Sequence, residues 1–360
     1  KYIFEIGLLA LLGSRLLASH MGLIPLLLIA FFLLCLVAHR ALYQLRPHPA
    51  RLTQYYLWIA LGGWLGGLVV SLLAPVLFTG LWEYPLAVIA ILALCWPKTW
   101  LAWWRNAPRL FGYGRLAFLI LGVSVLALNL SGPSSLYSVR NFYGIHTLVD
   151  KPSTESTPAH RQLLHGQTLH GLQHVQGPRI NEPLAYYYPE GAMAKAMGIR
   201  NPDQPSALVG LGAGSALAWF ETGEHVTAYE IDPDVEKIAK EWFGFVSASK
   251  ATVRFSMGDA RINLLTDARS EEAADGHTKV PVIKLKAVGK HTSQETYGAI
   301  LVDAFSGDGI PVHLLTLEAL DIYLSRLLAD GVLVFHVSNR YYDLIPVLKA
   351  EIGRASCRER

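Results

Sequence analysis

Apolar residues follow two different patterns along this chain of 360 residues. Up to Leu130 they form long runs with few polar interruptions, whereas from Ala207 onward short apolar runs alternate with amphipathic stretches. A helix needs about 20 apolar residues to cross the hydrocarbon core of a bilayer, and strands that alternate with helices indicate a parallel sheet. The pattern therefore predicts transmembrane α-helices at the N-terminal side, followed by an α/β part.

The N-terminal part contains several apolar runs long enough to be candidate membrane spans, of which we expect at least three to cross. A cluster of glycines from Gly62 to Gly67 lies inside one run and places small residues four apart. Such spacing lets neighbouring helices approach closely and favours helix packing over transport. The runs are Ile3 to Ala18, Met21 to Ala38, Tyr55 to Phe78, Pro85 to Trp96 and Leu116 to Leu130.

Composition and charge support the same division. Only 16% of all residues are charged, against about 25% in a typical soluble protein, which excludes a purely soluble enzyme. Residues 1–130 carry a net charge of +7 and residues 131–360 a net charge of −4. Since the positive charge lies beside apolar runs, a strongly basic nucleic-acid binder is excluded, and three cysteines are too few for a disulfide framework.

The charges of the loops predict a membrane orientation that conflicts with a cytoplasmic α/β part. The basic loops around Arg46 and Arg105 both belong in the cytoplasm by the positive-inside rule. With one further span before residue 131, parity would place the α/β part outside, where a cytosolic cofactor is absent. Either one run does not span or the rule fails here, and the sequence leaves both alternatives open.

The two ends of the chain differ from the rest. Lys1 directly precedes an apolar run, so we expect the start to lie inside a longer protein. Residues 351–360 resemble a translated sequencing adapter, which is excluded from fold reasoning. The authentic chain is then expected to continue past Ala350, and a genuine basic tail is the alternative.

The segment from Ser138 to Glu190 contains short β-branched runs and turn residues, which predict a few antiparallel strands. His165, His170 and His174 within it suggest a metal site. No Cys or Glu joins them at the spacing of a zinc site, so the sequence does not favour a metal.

The α/β part carries glycines or acidic residues at successive strand ends. A strand at 207–209 runs into Gly210, Gly212 and Gly214 and then an Ala-rich helix, which lets a ligand approach the backbone closely. Glu230 lies sixteen residues after Gly214, at the end of a second strand, where a ribose diol would be bound. Asp259 and Asp303 follow further strands, so the sequence predicts one crevice that all of these residues line.

Other elements complete the expected parallel sheet. An insertion at 268–296, with a hairpin around 280–288, interrupts the alternation. The predicted elements are a helix from Asp232-Pro233 through Trp242, a strand at 252–256, a strand at 299–302, a helix at 316–328 and a strand at 332–337.

These motifs together resemble the spermidine synthase family, aminopropyltransferases with a Rossmann-like class I methyltransferase fold. The segments that carry the resemblance are Gly210 to Ser215, Tyr229 to Pro233, Gly258 to Arg261 and Ile300 to Asp303. The segments Arg140 to Gly144, Leu164 to Gly166, Asn181-Glu182 and Tyr186 to Glu190 are similar to the small β-domain of that family. Tyr55 to Trp58, Gly62-Gly63, Glu83 to Pro85 and Asp303 to Asp308 resemble its membrane-fused bacterial members.

The resemblance implies a set of roles. The co-substrate would be decarboxylated S-adenosylmethionine or S-adenosylmethionine, without a metal, and the acceptor a small polyamine-like amine. Asp303 would act as the base. On the adenosyl side the implied residues are Gly210, Gly212 and Gly214 (methionine part), Glu230 (ribose), Asp259 (adenine), Asp232 and Ala260; on the amine side they are Tyr187, Glu190, Ser306 and Asp308.

Three departures from the family pattern weaken the case for spermidine synthesis itself. Ala213 and Ser306 stand where the soluble enzymes usually have Asp, and His165-Gly166 replaces Asp-Gly. Fewer carboxylates hold a multiply charged amine less well. The alternatives are a methyltransferase, favoured by the Gly-Leu-Gly-Ala-Gly loop, and a non-catalytic membrane protein that binds a nucleoside or polyamine.

The sequence thus predicts four parts: a transmembrane region at 1–130, truncated at its start, a small β-strand domain at 131–195, a spermidine synthase-type domain at 196–350 and the adapter-like residues 351–360. We expect an integral protein of the bacterial inner membrane with its catalytic domain in the cytoplasm. The expected partners are an amine substrate and the lipid bilayer, with no nucleic acid, and a homo-oligomer is left open.

Overall fold

The computed structural model describes residues 24–94, 135–155, 157–166, 168–266, 296–305, 309, 311–338 and 343–358. The chain divides into two compact units, Lys1–Ile145 and His146–Arg360. The predicted spans Ile3 to Ala18 and Leu116 to Leu130, residues 268–295 of the predicted insertion, Ser306 and Asp308 lie outside the described residues.

Apolar helices make up most of the described part of the first unit. The stretch Pro49–Leu77 is long and apolar enough, by length and composition, to cross a membrane, and within the described ranges it alone meets that criterion. Trp58, Trp64 and Leu72 on this stretch are all more than 60% exposed. The helices are α1 (Ile24–Gln44), a 3-10 turn (Pro49–Arg51), α2 (Leu52–Leu68), a π-helical turn (Val69–Leu73), α3 (Ala74–Leu77) and α4 (Glu83–Leu94).

A bidentate ion pair joins the start of α4 to the strand that follows the apolar region. Arg140, on strand β1 (Tyr137–Asn141), donates to both carboxylate oxygens of Glu83 at 2.7 and 2.9 Å and to the carbonyl oxygen of Gly80 at 2.7 Å. The Arg140 and Glu83 side chains are only 10% and 16% exposed. Because a forked guanidinium fixes direction as well as distance, this pair orients β1 against α4.

The antiparallel strands expected between Ser138 and Glu190 are present. Strands β2 (Gly144–Lys151), β3 (His160–His165) and β4 (Thr168–His174) follow β1, and β3 lies between β2 and β4. The pairs β2/β3 and β3/β4 are antiparallel.

A five-stranded parallel sheet forms the centre of the second unit. Its order is β7-β6-β5-β8-β9, so the chain starts in the middle and winds first to one edge and then to the other. This is the doubly wound arrangement, which confirms the Rossmann-like prediction. The strands are β5 (Ser206–Val209), β6 (His225–Glu230), β7 (Thr252–Met257), β8 (Tyr297–Val302) and β9 (Leu327–Phe335).

Helices cover both faces of this sheet. Since side chains alternate along a strand, Leu208 and Leu301 belong to one apolar cluster and Val209 and Ile300 to another. The helices are α5 (Ala192–Met197), α6 (Pro233–Trp242), α7 (Phe245–Ala248), α8 (Ala260–Thr266), α9 (Leu317–Arg326) and α10 (Ile345–Arg358).

Two predicted elements are corrected. The Ala-rich helix after the glycine loop is a five-residue 3-10 turn, Ser215–Trp219, too short to present a helical N-terminus to a ligand. The helix predicted at 316–328 ends at Arg326, and β9 begins at Leu327 rather than Val332. The reason is sheet pairing, because Leu327 pairs with Tyr297 of β8 instead of continuing the helix.

A buried ion pair fixes the connection before β5 to the turn before β6. Arg200 donates to both oxygens of Glu224 at 3.0 and 2.8 Å and to the carbonyl oxygens of Met197 and Trp219. The guanidinium also lies 4.4 Å from the ring centre of Phe220. Because the Arg200 and Glu224 side chains are only 10% and 5% exposed, loss of one charge leaves the other buried and unpaired.

We therefore expect Arg200→Gln to lower the free energy of unfolding by about 3 to 5 kcal/mol, the usual cost of breaking a buried pair. Denaturant unfolding of the full chain, followed by tryptophan fluorescence, measures this. The matched control is Lys240→Gln, which breaks the more exposed Lys240–Glu236 pair and should cost at most about 1 kcal/mol. Equal losses in the two variants would contradict the assignment.

Candidate functional site

Polar groups gather at the carboxyl edge of the parallel sheet. Backbone hydrogen bonds extend past the strand ends there: the Asp303 N–H donates to the Val209 carbonyl oxygen at 2.8 Å and the His336 N–H to that of Val302 at 2.9 Å. The residues that directly follow β5, β8 and β9 are therefore held side by side.

The glycine loop after β5 is shaped by its neighbours. Gly210, Gly212 and Gly214 have φ angles of 99°, 54° and 81°, which side chains disfavour. A β-carbon on Gly210 would lie 2.2 Å from the Asp303 carbonyl oxygen, and one on Gly212 would lie 2.9 Å from that of His170. These two glycines are thus required by contacts within the protein, in addition to any ligand.

Glu230 ties the glycine loop to the end of β6. Its carboxylate accepts hydrogen bonds from the N–H groups of Leu211 (3.0 Å), Ile231 (2.8 Å) and Asp232 (3.0 Å). Burial raises the pKa of Glu230 above its ordinary value, and these donors oppose that shift. The side chain is placed at the predicted ligand crevice, and its ribose-binding role stays a prediction.

The other two acids predicted on the adenosyl side cap helices. Asp232 accepts from the Asp234 N–H at the start of α6, and its other oxygen lies 2.8 Å from His146 Nε2. Asp259 accepts from two N–H groups in the first turn of α8, and its second oxygen lies 3.1 Å from His313 Nε2. Each cap uses one of the two oxygens of its carboxylate. Ala260 begins α8 beside Asp259. The ligand-binding roles of these residues stay predictions.

Asp303 lies at the centre of a buried polar cluster. Its Oδ2 accepts a hydrogen bond from the Tyr187 hydroxyl at 2.6 Å, and its Oδ1 lies 2.6 Å from His336 Nδ1. The Asp303 and His336 side chains are 5% and 8% exposed. Burial, with the Asp303 charge as a lesser cause, raises the pKa of Tyr187 well above its ordinary value, so Tyr187 remains a neutral donor.

His336 is held by aromatic rings as well. Its ring centre lies 4.8 Å from that of Tyr186 and 5.0 Å from that of Phe305. From the sequence alone, His336 is expected to be a packing or hydrogen-bonding residue and not a catalyst, although it directly follows β9. The positional rule that selected Asp303, a polar residue at the carboxyl end of a strand, would also have found His336.

A cavity of about 430 Å³ lies beside this cluster. Its walls include Tyr186, Tyr188, Met193, Val334 and His336, and the described part of the wall has no acid, lysine or arginine. Glu190, predicted to bind substrate, is exposed and accepts a hydrogen bond from Tyr188.

Three histidines of the β-strand region have neighbouring rings. The rings of His146 and His165 are 4.6 Å apart, and those of His165 and His170 are 5.5 Å apart. Within the ranges that the structure describes, no group of three or more His, Cys, Asp or Glu residues is arranged to hold a metal ion.

The glycine loop packs tightly against β4. A β-carbon on Gly171 would lie 2.3 Å from the β-carbon of Ala213, which is itself 1% exposed. The alanine at the position of the usual Asp is thus buried against a strand.

We expect Gly171→Ala to lower the free energy of unfolding by about 1 to 3 kcal/mol through overpacking. Adding Ala213→Gly should restore part of that loss, with a coupling of at least about 0.5 kcal/mol in the double-mutant cycle. Denaturant unfolding of the three variants measures the cycle, and additive losses would show that the two residues are not in contact.

No family model matches the chain. The chain is 32% identical over 163 residues to the polyamine aminopropyltransferase of Vibrio vulnificus (strain CMCP6). The aligned region covers 44% of this chain and 46% of the relative. The chain therefore spans about half the length of the curated relative that it matches.

Two solved structures are similar at low identity. The spermidine synthase of Thermotoga maritima is 16% identical with a TM-score of 0.38 and covers 62% of this chain and 63% of its own. Human methyltransferase-like protein 13 in complex with SAH is 20% identical with a TM-score of 0.33, and the match covers 45% of this chain and 70% of that protein. It is the sequence match that shows part of this chain to be homologous to a polyamine aminopropyltransferase.

Proposed function

We propose that this protein transfers an aminopropyl group, or a related alkyl group, from an S-adenosyl sulfonium donor to an amine. The observation that carries the proposal is the buried Asp303 carboxylate beside the glycine loop, hydrogen-bonded to Tyr187 and His336. The homology to a polyamine aminopropyltransferase supports it.

The crevice has features that suit an adenosyl ligand. The glycine loop at 210–214, with its positive φ angles, follows β5 at the carboxyl edge of the sheet, the edge at which doubly wound folds bind ligands. Ser215 directly follows this loop. Its hydroxyl is fully buried and has no hydrogen-bond partner among the residues that the structure describes. An unfilled buried hydroxyl next to such a loop fits a polar ligand group. Decarboxylated S-adenosylmethionine and S-adenosylmethionine are both candidates.

The reaction requires a neutral amine, because the nitrogen lone pair attacks the carbon next to sulfur. Asp303 accepts or orients the proton that the amine loses. Tyr187 donates to one Asp303 oxygen and holds the carboxylate in position. We assign the amine side to Tyr187, Glu190, Ser306 and Asp308, with a small polyamine-like amine as the acceptor.

A methyltransferase is the second candidate. Ala213 is packed against Gly171, so the glycine loop offers no carboxylate at this position to distinguish an amine-bearing donor. Mass spectrometry of the products formed with each sulfonium donor separates a methyl from an aminopropyl transfer. Ligand binding without turnover would instead indicate a non-catalytic binding protein.

We also propose that the chain is an integral protein of a bacterial inner membrane, with the α/β part in the cytoplasm. The stretch Pro49–Leu77 exposes large apolar side chains such as Trp58 and Trp64, which lipid would cover. A cytoplasmic α/β part gives the site access to the sulfonium donor.

Asp303→Asn should keep donor binding and lower turnover by about 100-fold or more, the scale of general acid–base help. Turnover is measured on the full chain by mass spectrometry and donor binding by calorimetry. Asp330→Asn, at an exposed acid that contacts Gln204, is the control and should turn over normally. Preserved turnover in Asp303→Asn together with lower stability would make Asp303 a structural residue.

Glu230→Gln should weaken binding of S-adenosylmethionine and of its decarboxylated form by about 1.5 to 3 kcal/mol, the range for a hydrogen bond to a charged group. Calorimetry measures the affinity, and thermal unfolding checks that the loop remains folded. Glu221→Gln, at the exposed end of the Glu221–Lys250 pair, serves as the matched control. Unchanged affinity in a folded Glu230→Gln protein would remove the adenosyl-site assignment.

A further inference from the structure

We propose that Nε2 of His336 takes up the proton of the acceptor amine and that Asp303 is the carboxylate that orients His336. This proposal rests on the proposed transferase function and identifies the base within it. Both Asp303 oxygens already have partners, Tyr187 on Oδ2 and His336 on Oδ1, each at 2.6 Å. A carboxylate that accepts two short hydrogen bonds is better suited to hold a neighbour than to receive a further proton.

The hydrogen bond to Asp303 determines the form of the imidazole. An ionised carboxylate only accepts hydrogen bonds, so Nδ1 of His336 carries the proton that Asp303 accepts. In the neutral ring the lone pair is then on Nε2. That atom is buried and, in the described structure, has no hydrogen-bond partner. Since an unfilled buried acceptor is costly, an incoming N–H group would be bound there.

The ring is also held in place. Tyr186 and Phe305 contact the ring at centroid distances of 4.8 and 5.0 Å, and the His336 backbone N–H is bonded to Val302. A carboxylate on one ring nitrogen and a free lone pair on the other is the arrangement by which an Asp–His pair acts as a general base.

His336 also lines the cavity of about 430 Å³. Among the described residues, the titratable groups around it are the Asp303 carboxyl and the phenols of Tyr186, Tyr187 and Tyr188. Burial raises the pKa of Tyr186 and of Tyr187, so neither phenol is a base near neutral pH. Among the described residues of the cavity wall, the imidazole is therefore the group suited to accept a proton.

The step balances in atoms and charge. The amine lone pair forms the new carbon–nitrogen bond, and the electron pair of the broken carbon–sulfur bond stays on sulfur, which becomes a neutral thioether. The proton on nitrogen moves to His336 Nε2, and the Asp303 carboxylate stabilises the imidazolium that results. No oxidant or metal takes part in this balance.

A first test determines the tautomer of the His336 imidazole and needs no turnover. Nitrogen-15 NMR of the histidine-labelled full chain should show His336 as the tautomer with the proton on Nδ1 and a bare Nε2. Asp303→Asn should shift this signal toward a mixture of tautomers. His336→Gln identifies the resonance by its disappearance. A proton on Nε2 in the neutral wild-type ring would overturn the proposal.

A second test shows whether His336 acts as a base or only as a packing residue. His336→Gln keeps a polar side chain of similar length but lacks a basic nitrogen, so kcat should fall by about 100-fold or more. Donor affinity by calorimetry should stay within about twofold of wild type (about 0.4 kcal/mol). Added imidazole should restore part of the turnover of His336→Ala. The control is His225→Gln, at the exposed start of β6, with wild-type kcat.

The outcomes separate the role of His336 from the transferase function. Wild-type turnover in His336→Gln would overturn the role of His336 and leave the transferase function standing. A wild-type chain that binds both sulfonium donors but transfers no group to any amine in a panel of mono-, di- and triamines would overturn the transferase function, and the role of His336 with it.

Discussion

The candidate site depends on the close approach of two backbone segments, the turn after β5 and the residue after β8. Gly210 has no β-carbon, and the Asp303 carbonyl occupies the space in which one would lie, at 2.2 Å. Any side chain at position 210 would push β5 and β8 apart at their ends. Because β5 is the central strand, that displacement would separate the glycine loop from the carboxylate and spread to the residues that follow β6 and β9.

This geometry explains why the acid on β8 has several partners and why those partners come from distant parts of the sequence. Tyr187 reaches Asp303 from the turn before α5, and His336 reaches it from the end of β9. The two short hydrogen bonds give each oxygen of this buried side chain a partner. The same bonds fix the direction of each group, as the proton transfer that we propose requires.

The apolar helices present a different physical problem. Their large side chains, such as Trp64 and Leu72, are exposed along Pro49–Leu77, and a bilayer is the partner that we propose for them. Within the same unit, the Arg140–Glu83 pair fixes the strand that leaves this region. A bidentate contact of low exposure resists rotation in a way that a flexible linker does not.

The sequence by itself determined the order of strands and helices, the glycine loop and the acids at strand ends, because periodicity and turn residues are local properties. Those signals located Glu230, Asp259 and Asp303 correctly at the carboxyl edge. The sequence could not show that β9 begins at Leu327, because pairing with Tyr297 overrides the local helix pattern. Nor could it show that His336 contacts Asp303, 33 residues away in the chain. Only the tertiary structure decides such contacts, since they depend on which strands lie side by side.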